Sequence, residues 1–520
     1  MNGQPLIAYA IQTALECSLV TDVVLTSDDD EILTCGEAYG ALPLKRRSEL
    51  ALDTVTLDPV VYDALLYMEH RTNNHYDAVV TLQPTSPTLK ASTLEEALRS
   101  FLTGEFDTII SVVNKPHLAW AEQDGRYFAL YETRLNRQQL PPHYMETGAF
   151  LISGRTCITA ESRIGRRMRA WVISNEEAID IDDASDWQIC ENLLSRKRIV
   201  LRAHGHRNIG MGHIYHALTL YYNLTGHEVM FVTSSAFSEG VSKLQSCFVP
   251  LTLLDTDQEF FSFLEAYKPD IVVNDCLDTT AEYIQEVKSR CPRVVTIEDQ
   301  GEGAELADVV INALYDEDIP CTINAYYGQK YACLRDEFVI ATPSPFRQEV
   351  ENVLILFGGT DPSDLTSLLY QTVSEIGEQY PSITFTFLTG FGYDAVAHGV
   401  TTQKDKHIYV VNDAKHVSDY MHDADLAVTS QGRTLYELAT MGVPAIVMAQ
   451  NKREQLHHFA NMQNGFLNIG LGQEVQSDTL KRTLDWLIRT PQIRSEMRTL
   501  MLSHNLKGGI KRVLKLILGE

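Results

Sequence analysis

Three short stretches of this chain combine residue types and spacings that could do chemistry. In Gly210-Met211-Gly212-His213 a strand-like run gives way to a helical one. Glycines at such a junction let the backbone approach a diphosphate or a sugar, and a helix N-terminus favours an anion. The same terminus favours a neutral imidazole, so His213 could serve as a general base near neutral pH. In Ala178-Ile179-Asp180-Ile181-Asp182 a strand period of two would send both aspartates to one face. Paired carboxylates repel unless a cation sits between them, and oxygen-only ligands suit Mg²⁺ or Mn²⁺ carrying a nucleotide's phosphates. In Leu82-Gln83-Pro84-Thr85-Ser86-Pro87 two prolines fix a loop after a strand. That leaves Gln83, Thr85 and Ser86 as preorganised hydrogen-bonders at the carboxyl edge of a sheet, where ligands bind.

Further segments fit the same kind of ligand. Ser430-Gln431-Gly432-Arg433-Thr434 follows a β-branched run and opens a helix, so its N–H groups can take a diphosphate while Glu437, one turn on, reaches ribose hydroxyls. Phe357-Gly358-Gly359-Thr360-Asp361-Pro362 is another glycine-rich strand end. Arg137 precedes the rigid Pro141-Pro142 turn, with Gly148-Ala149-Phe150 beyond it.

The elements that must position these residues alternate short apolar strands with helical stretches, which predicts an α/β chain. Strands are expected at 23–26, 78–82 and 108–113, in a mostly parallel sheet, and again at 199–202, 228–233, 270–274 and 293–298. A third set is expected at 353–357, 384–388, 408–411, 426–429 and 445–448, after the proline-containing stretch 342–345. The charged Ser195-Arg196-Lys197-Arg198 marks one boundary, so the expected domains are 1–196, 197–345 and 346–520. A chain of 520 residues exceeds what one hydrophobic core supports.

The 43 Lys and Arg against 69 Asp and Glu give a net charge of -26, which argues against a nucleic-acid partner. No apolar run reaches the roughly 18 residues of a membrane span. Nine scattered cysteines without a C-x-x-C pair, and a first stretch without a secretion signal, predict a cytoplasmic protein. The basic stretch 506–518 can form an amphipathic helix, to pack on the protein's own surface or lie on a membrane.

Over residues 1–193 the chain resembles the acylneuraminate (CMP-sialic acid) cytidylyltransferase family. The resemblance rests on Gly3-Gln4-Pro5-Leu6-Ile7, Thr26-Ser27-Asp28-Asp29, Arg46 through Asp53-Thr54, and the LQPTSP, RQQLPP and IDID segments, in that order. It implies a Rossmann-like nucleotidyltransferase domain and a homodimer. It also implies Mg²⁺ on Asp180 and Asp182, cytidine-nucleotide contacts from Arg46, Gln83 and Ser86, and a nonulosonate near Arg137. The family opens with a strand and a phosphate loop of the form PARGGSKG, and this chain begins just after that point, so either the start lies upstream or the domain is a scaffold.

From 198 to about 470 the chain resembles the nucleotide-sugar hydrolase of pseudaminic acid synthesis and spore-coat polysaccharide proteins, within the GT-B superfamily. The strings R-A-x-G-x-x-x-I-G-x-G-H and F-G-G-T-D-P carry this. The resemblance implies a GT-B-type pair of doubly wound domains in which His213 activates the water that expels UDP. Nucleotide binding is implied for Gly210, Gly212, Gly359, Ser430, Gly432, Thr434 and Glu437, with no cofactor, and sugar binding for Asp275. Where the family has Asp, Arg and a D-x-Y motif, this chain has His204, His216 and Asp275-Cys276-Leu277-Asp278. The expected function is two steps of nonulosonic acid synthesis, acting on a UDP-sugar and on CTP and a CMP-sugar. The alternative is a GT-B glycosyltransferase with a non-catalytic nucleotide-binding domain.

Overall fold

A computed structural model describes residues 1–206, 210–316 and 324–520. Arg207, Asn208 and Ile209 of the glycine-rich string, and Cys321, lie outside the described residues. The chain divides into two compact units, Met1–Arg196 and Lys197–Glu520.

In the first unit, β1 (Val24–Ser27) and β2 (Leu42–Lys45) pair in parallel as a sheet of their own. The main sheet contains β3 (Ala78–Leu82) and β4 (Thr108–Asn114). β5 (Trp120–Gln123) and β6 (Arg126–Ala129) form a separate hairpin. β7 (Tyr144–Gly154) and β8 (Met168–Val172) complete the main sheet in the order β3-β7-β4-β8. β7 runs antiparallel to both neighbours, so this sheet is mixed rather than mostly parallel. β4 is buried along nearly its whole length, and Ile109, Phe150 and Ile152 pack with Leu94 and Leu98 of the helix Ala91–Phe101. One free edge of β1 and one of β3 border a cavity of about 620 Å³ lined by apolar groups that include Ile11, Leu25, Val60 and Val79.

The second unit contains two parallel sheets. The first is built from β9 (Arg198–Ala203), β10 (Glu228–Thr233), β11 (Leu251–Leu253), β12 (Ile271–Asp275), β13 (Arg293–Ile297), β14 (Val309–Asn312) and β15 (Ala325–Tyr327), in the order β11-β10-β9-β12-β13-β14-β15. The second is built from β16 (Asn352–Leu356), β17 (Thr384–Thr389), β18 (Ile408–Asn412), β19 (Leu426–Ser430), β20 (Ala445–Ala449) and β21 (Phe466–Leu471), in the order β18-β17-β16-β19-β20-β21. In both sheets the order reverses beside the first strand, which opens a crevice at the carboxyl ends where ligands bind in such folds. The central strands β12, β19 and β20 are buried throughout, as strands covered on both faces must be.

The basic C-terminal stretch forms the helix Gly509–Leu518, whose Ile510, Val513 and Ile517 pack into the core of the first sheet. Arg293 donates to the carbonyls of Ile517 at 3.0 Å and Leu516 at 2.8 Å, satisfying the helix's open end. The apolar stripe is thus used inside the protein. Among the described residues no helix is long and apolar enough to cross a membrane.

Candidate functional site

In the second unit a cleft of about 690 Å³ lies where the two sheets' carboxyl ends meet, and it gathers the glycine-rich segments. Gly210, Gly212, His213, Gly359, Ser430, Gly432, Thr434 and Glu437 all line it. The helix Gly212–Asn223 begins at its rim and turns His213 and His216, three apart, to the same side. Both imidazoles reach Asp275, the last residue of β12: His213 Nδ1 lies 2.5 Å from Oδ1, and His216 Nδ1 lies 2.5 Å from Oδ2.

Asp275, for which sugar binding was expected, is buried with each of its oxygens against a histidine Nδ1. Burial pushes its carboxyl up, but the two imidazoles outweigh burial and hold it well below the usual carboxylate range. An ionised Asp275 accepts Nδ1–H from each ring, and in a neutral His213 this tautomer makes Nε2 the acceptor, on a side chain that lines the cleft. His216 is buried, and burial followed by the Arg433 charge lowers its pKa, keeping it neutral.

Close backbone approach shapes the glycine-rich side of the cleft. A Cβ on Gly359 would lie 2.8 Å from Met211 Cβ, and one on Gly390 would lie 2.4 Å from Gly359 Cα. The buried Thr360 Oγ1 has no partner among the described residues. Glu437 lines the cleft but accepts from Arg335 Nε at 2.8 Å, so a ribose hydroxyl would share it with that guanidinium. Glu454 ties two loops together, its Oε2 accepting from Gln450 N at 2.8 Å and Gln431 N at 3.3 Å. Sequence reasoning missed Glu298, Glu454 and His457, which also line the cleft, and named Arg433 only as a member of the 430–434 loop. The acidic pair Glu298-Asp299, just past a β-branched strand, was the available signal for the first.

Burial pushes the Glu454 carboxyl up to about 7 despite those two N–H groups. In the unfolded chain it titrates near 4.5, so its contribution to stability is full below that pH and is lost as pH rises through about 7. Glu454→Gln keeps an acceptor oxygen but carries no proton to lose. Its stability should therefore match the parent's near pH 4.5 and exceed it at pH 8 by up to about 3 kcal/mol. Denaturant unfolding at the two pH values checks this.

In the first unit, Gln83 and Asp180 converge on Gly148 of β7, where a Cβ would meet Gln83 Oε1 at 2.8 Å and Asp180 Oδ2 at 3.5 Å. Gly148 has a φ of +71°, so a side chain there would be strained as well. Ser86 is buried with its Oγ 3.5 Å from Thr147 O, and Arg46 Nη2 donates to Thr26 O at 2.8 Å. Arg46 Nε and Asp180 Oδ1 are buried without a partner among the described residues. The aspartates do not sit on a strand. Residues 178–182 run as an irregular segment held to the LQPTSP loop by Ile181 N donating to Thr85 O, and Asp183 then caps the helix Ala184–Leu194. Asp182 is exposed, and so is Arg137 in a short 3₁₀ turn. An orphaned buried carboxylate oxygen on Asp180 suits a cation. Among the described residues no group of three His, Cys, Asp or Glu side chains could hold one unaided, so phosphate oxygens would have to complete the shell.

Residues 1–127 match the cytidylyltransferase family, and residues 353–513 match the glycosyltransferase family 28 C-terminal domain. An uncharacterized protein of Methanocaldococcus jannaschii is 24% identical over 50% of this chain and 57% of its own length. The N-acylneuraminate cytidylyltransferase of Escherichia coli O18:K1:H7 is 27% identical over 37% of this chain and 47% of its own length. The chain thus spans about half the length of these curated relatives. A spore coat polysaccharide biosynthesis protein of Bacillus subtilis is 25% identical over 42% of this chain and 67% of its own length. Among solved structures, MurG of Acinetobacter baumannii is 15% identical over 62% of this chain and all of its own, with a TM-score of 0.46. The start of the chain is thus similar to cytidylyltransferases, and residues 353–513 are similar to the C-terminal domain of family 28 glycosyltransferases.

Proposed function

We propose that the chain serves nonulosonic acid synthesis in the cytoplasm, hydrolysing a UDP-sugar in the second unit and handling CTP and a CMP-sugar in the first. The observation that carries the hydrolase reading is the His213–Asp275–His216 relay in the cleft. His213 Nε2 takes a proton from water as the water oxygen bonds to the anomeric carbon. The carbon–oxygen bond to UDP breaks, its electron pair leaving on the diphosphate, which the glycine-rich ends around Gly359 and Ser430–Thr434 would hold. The family match of residues 353–513 favours a second reading, in which an acceptor hydroxyl takes the place of water. UDP release from UDP-diacetamidotrideoxyhexose, assayed with and without acceptor glycans, decides between them. Release in water supports hydrolysis, release only with acceptor supports transfer, and no release under either condition sinks both.

For the first unit, Gln83, Arg46 and Asp180 support a cytidine-nucleotide site. Mg²⁺ on Asp180 and Asp182 would neutralise the nucleotide's phosphate charge. Asp180→Asn should weaken Mg²⁺-dependent CTP binding by roughly tenfold or more while leaving metal-free binding unchanged, as calorimetry would read. The free cysteines among the described residues support a reducing compartment. The hairpin β5–β6 exposes Trp120, Tyr127, Phe128 and neighbouring Leu130, which supports a homodimer through this unit. Sedimentation should give a dimer at micromolar concentration, and Tyr127→Glu with Phe128→Glu should give monomers. A parent that sediments only as monomer overturns it.

A further inference from the structure

The cleft of the second unit contains a buried carboxylate, Glu298, that the proposed chemistry does not use. Glu298 follows β13 with a left-handed φ of +53°, a conformation that a residue with a side chain holds only when its surroundings demand it. It is 2% exposed and lines the cleft. Its Oε2 accepts from Leu314 N at 3.4 Å, while Oε1 has no hydrogen-bond partner among the described residues. The facing cation is Arg433, whose Nη2 lies 3.5 Å from Glu298 Oε1 and 4.0 Å from Asp275 Oδ1, and this nitrogen is also buried without a hydrogen bond among the described residues. An acceptor and a donor that share an ion pair but no hydrogen bond thus stand side by side, next to the histidine relay.

Buried polar atoms are rarely left unpaired. The ligand group that answers both at once is a hydroxyl, since a single oxygen donates to the carboxylate and accepts from the guanidinium. A carbonyl offers no donor and a methyl offers neither. Burial pushes the Glu298 carboxyl up to about 7, and in its protonated form it can still share a hydrogen bond with a hydroxyl. We propose that Glu298 and Arg433 form a subsite for one ring hydroxyl of the sugar, which makes Glu298 a specificity-determining residue. This rests on the reading of the cleft as a UDP-sugar site. A diacetamidotrideoxyhexose attached to UDP keeps a single ring hydroxyl, and that is the group the pair would select.

The test is calorimetric, on the full chain, with UDP, UDP-diacetamidotrideoxyhexose and the analogue lacking that ring hydroxyl. A site built around a hydroxyl rejects the deoxy analogue strongly, so the parent should bind it at least about 100-fold more weakly than the hydroxylated sugar. Glu298→Ala should bring the two within a few-fold of each other, Glu298→Gln should keep most of the preference, and UDP alone should bind all three proteins alike. Equal binding of both sugars by the parent, or an undiminished preference in a Glu298→Ala protein that still binds UDP, would mean that the pair holds only solvent, and the subsite falls. If UDP itself fails to bind the parent, the UDP-sugar reading of the cleft falls and takes the subsite with it.

Discussion

His213→Ala is expected to lower UDP release by roughly 10²–10⁴-fold while leaving UDP binding within a few-fold of the parent. Only Nε2 of this imidazole is free to take a proton, because Nδ1 is spent on Asp275. The carboxylate therefore matters nearly as much as the ring. Asparagine at position 275 has one acceptor atom for two Nδ1–H donors, and its amide end would force one ring to carry its proton on Nε2 instead. If that ring is His213 the base is lost, and a wrong tautomer of this kind costs a catalytic histidine about 10⁴-fold in turnover. Steady-state UDP release from the two variants checks both expectations. An Asp275→Asn protein with parental turnover would mean that His213 does not depend on this carboxylate.

Gly390→Ala is the second change with a large expected effect. The added carbon would meet only backbone, at 2.4 Å from Gly359 Cα and 2.5 Å from Gly359 O, so no side chain can swing aside. The ends of β16 and β17 would have to part. Overpacking of this kind costs about 1–3 kcal/mol, and here the shift falls on the segment expected to face the diphosphate. UDP affinity should drop roughly 10–100-fold together with a lower melting temperature. Gly212→Ala makes a useful contrast, because a Cβ there has no atom of the described residues within 4 Å. It should melt like the parent yet lose affinity if ligand backbone approach is what that glycine serves. Parental UDP binding by Gly390→Ala would remove the glycine contact from the site.

Much of the second unit was legible because its signals are local. Buried parallel strands read as continuous apolar runs, and glycines at their carboxyl ends mark a crevice whichever residues lie across it. The histidine contacts of Asp275 were not legible for the opposite reason. Its role depends on two histidines about sixty positions away, and their spacing of three acquires meaning only once the helix Gly212–Asn223 is set against β12. The pairing of Glu298 was hidden on the same grounds, since nothing in its neighbourhood announces Arg433. The Ile-Asp alternation at 178–182 was a strand pattern without a sheet to join. β8 has already ended at Val172, and the next helix claims Asp183 as its cap. Pro141 and Pro142 read as turn, and β7 starts soon after them, with Gly148 inside the strand, where Gln83 and Asp180 need the room.

The hollow between β1 and β3 bears on how the first unit behaves as a material. Amide and carbonyl groups along two free strand edges border a cavity whose walls are largely aliphatic. Such edges exchange their amide protons readily and recruit any extended chain that comes within reach. On heating, this is where the first unit should come apart, and in a concentrated solution it is where one molecule should begin to stick to the next.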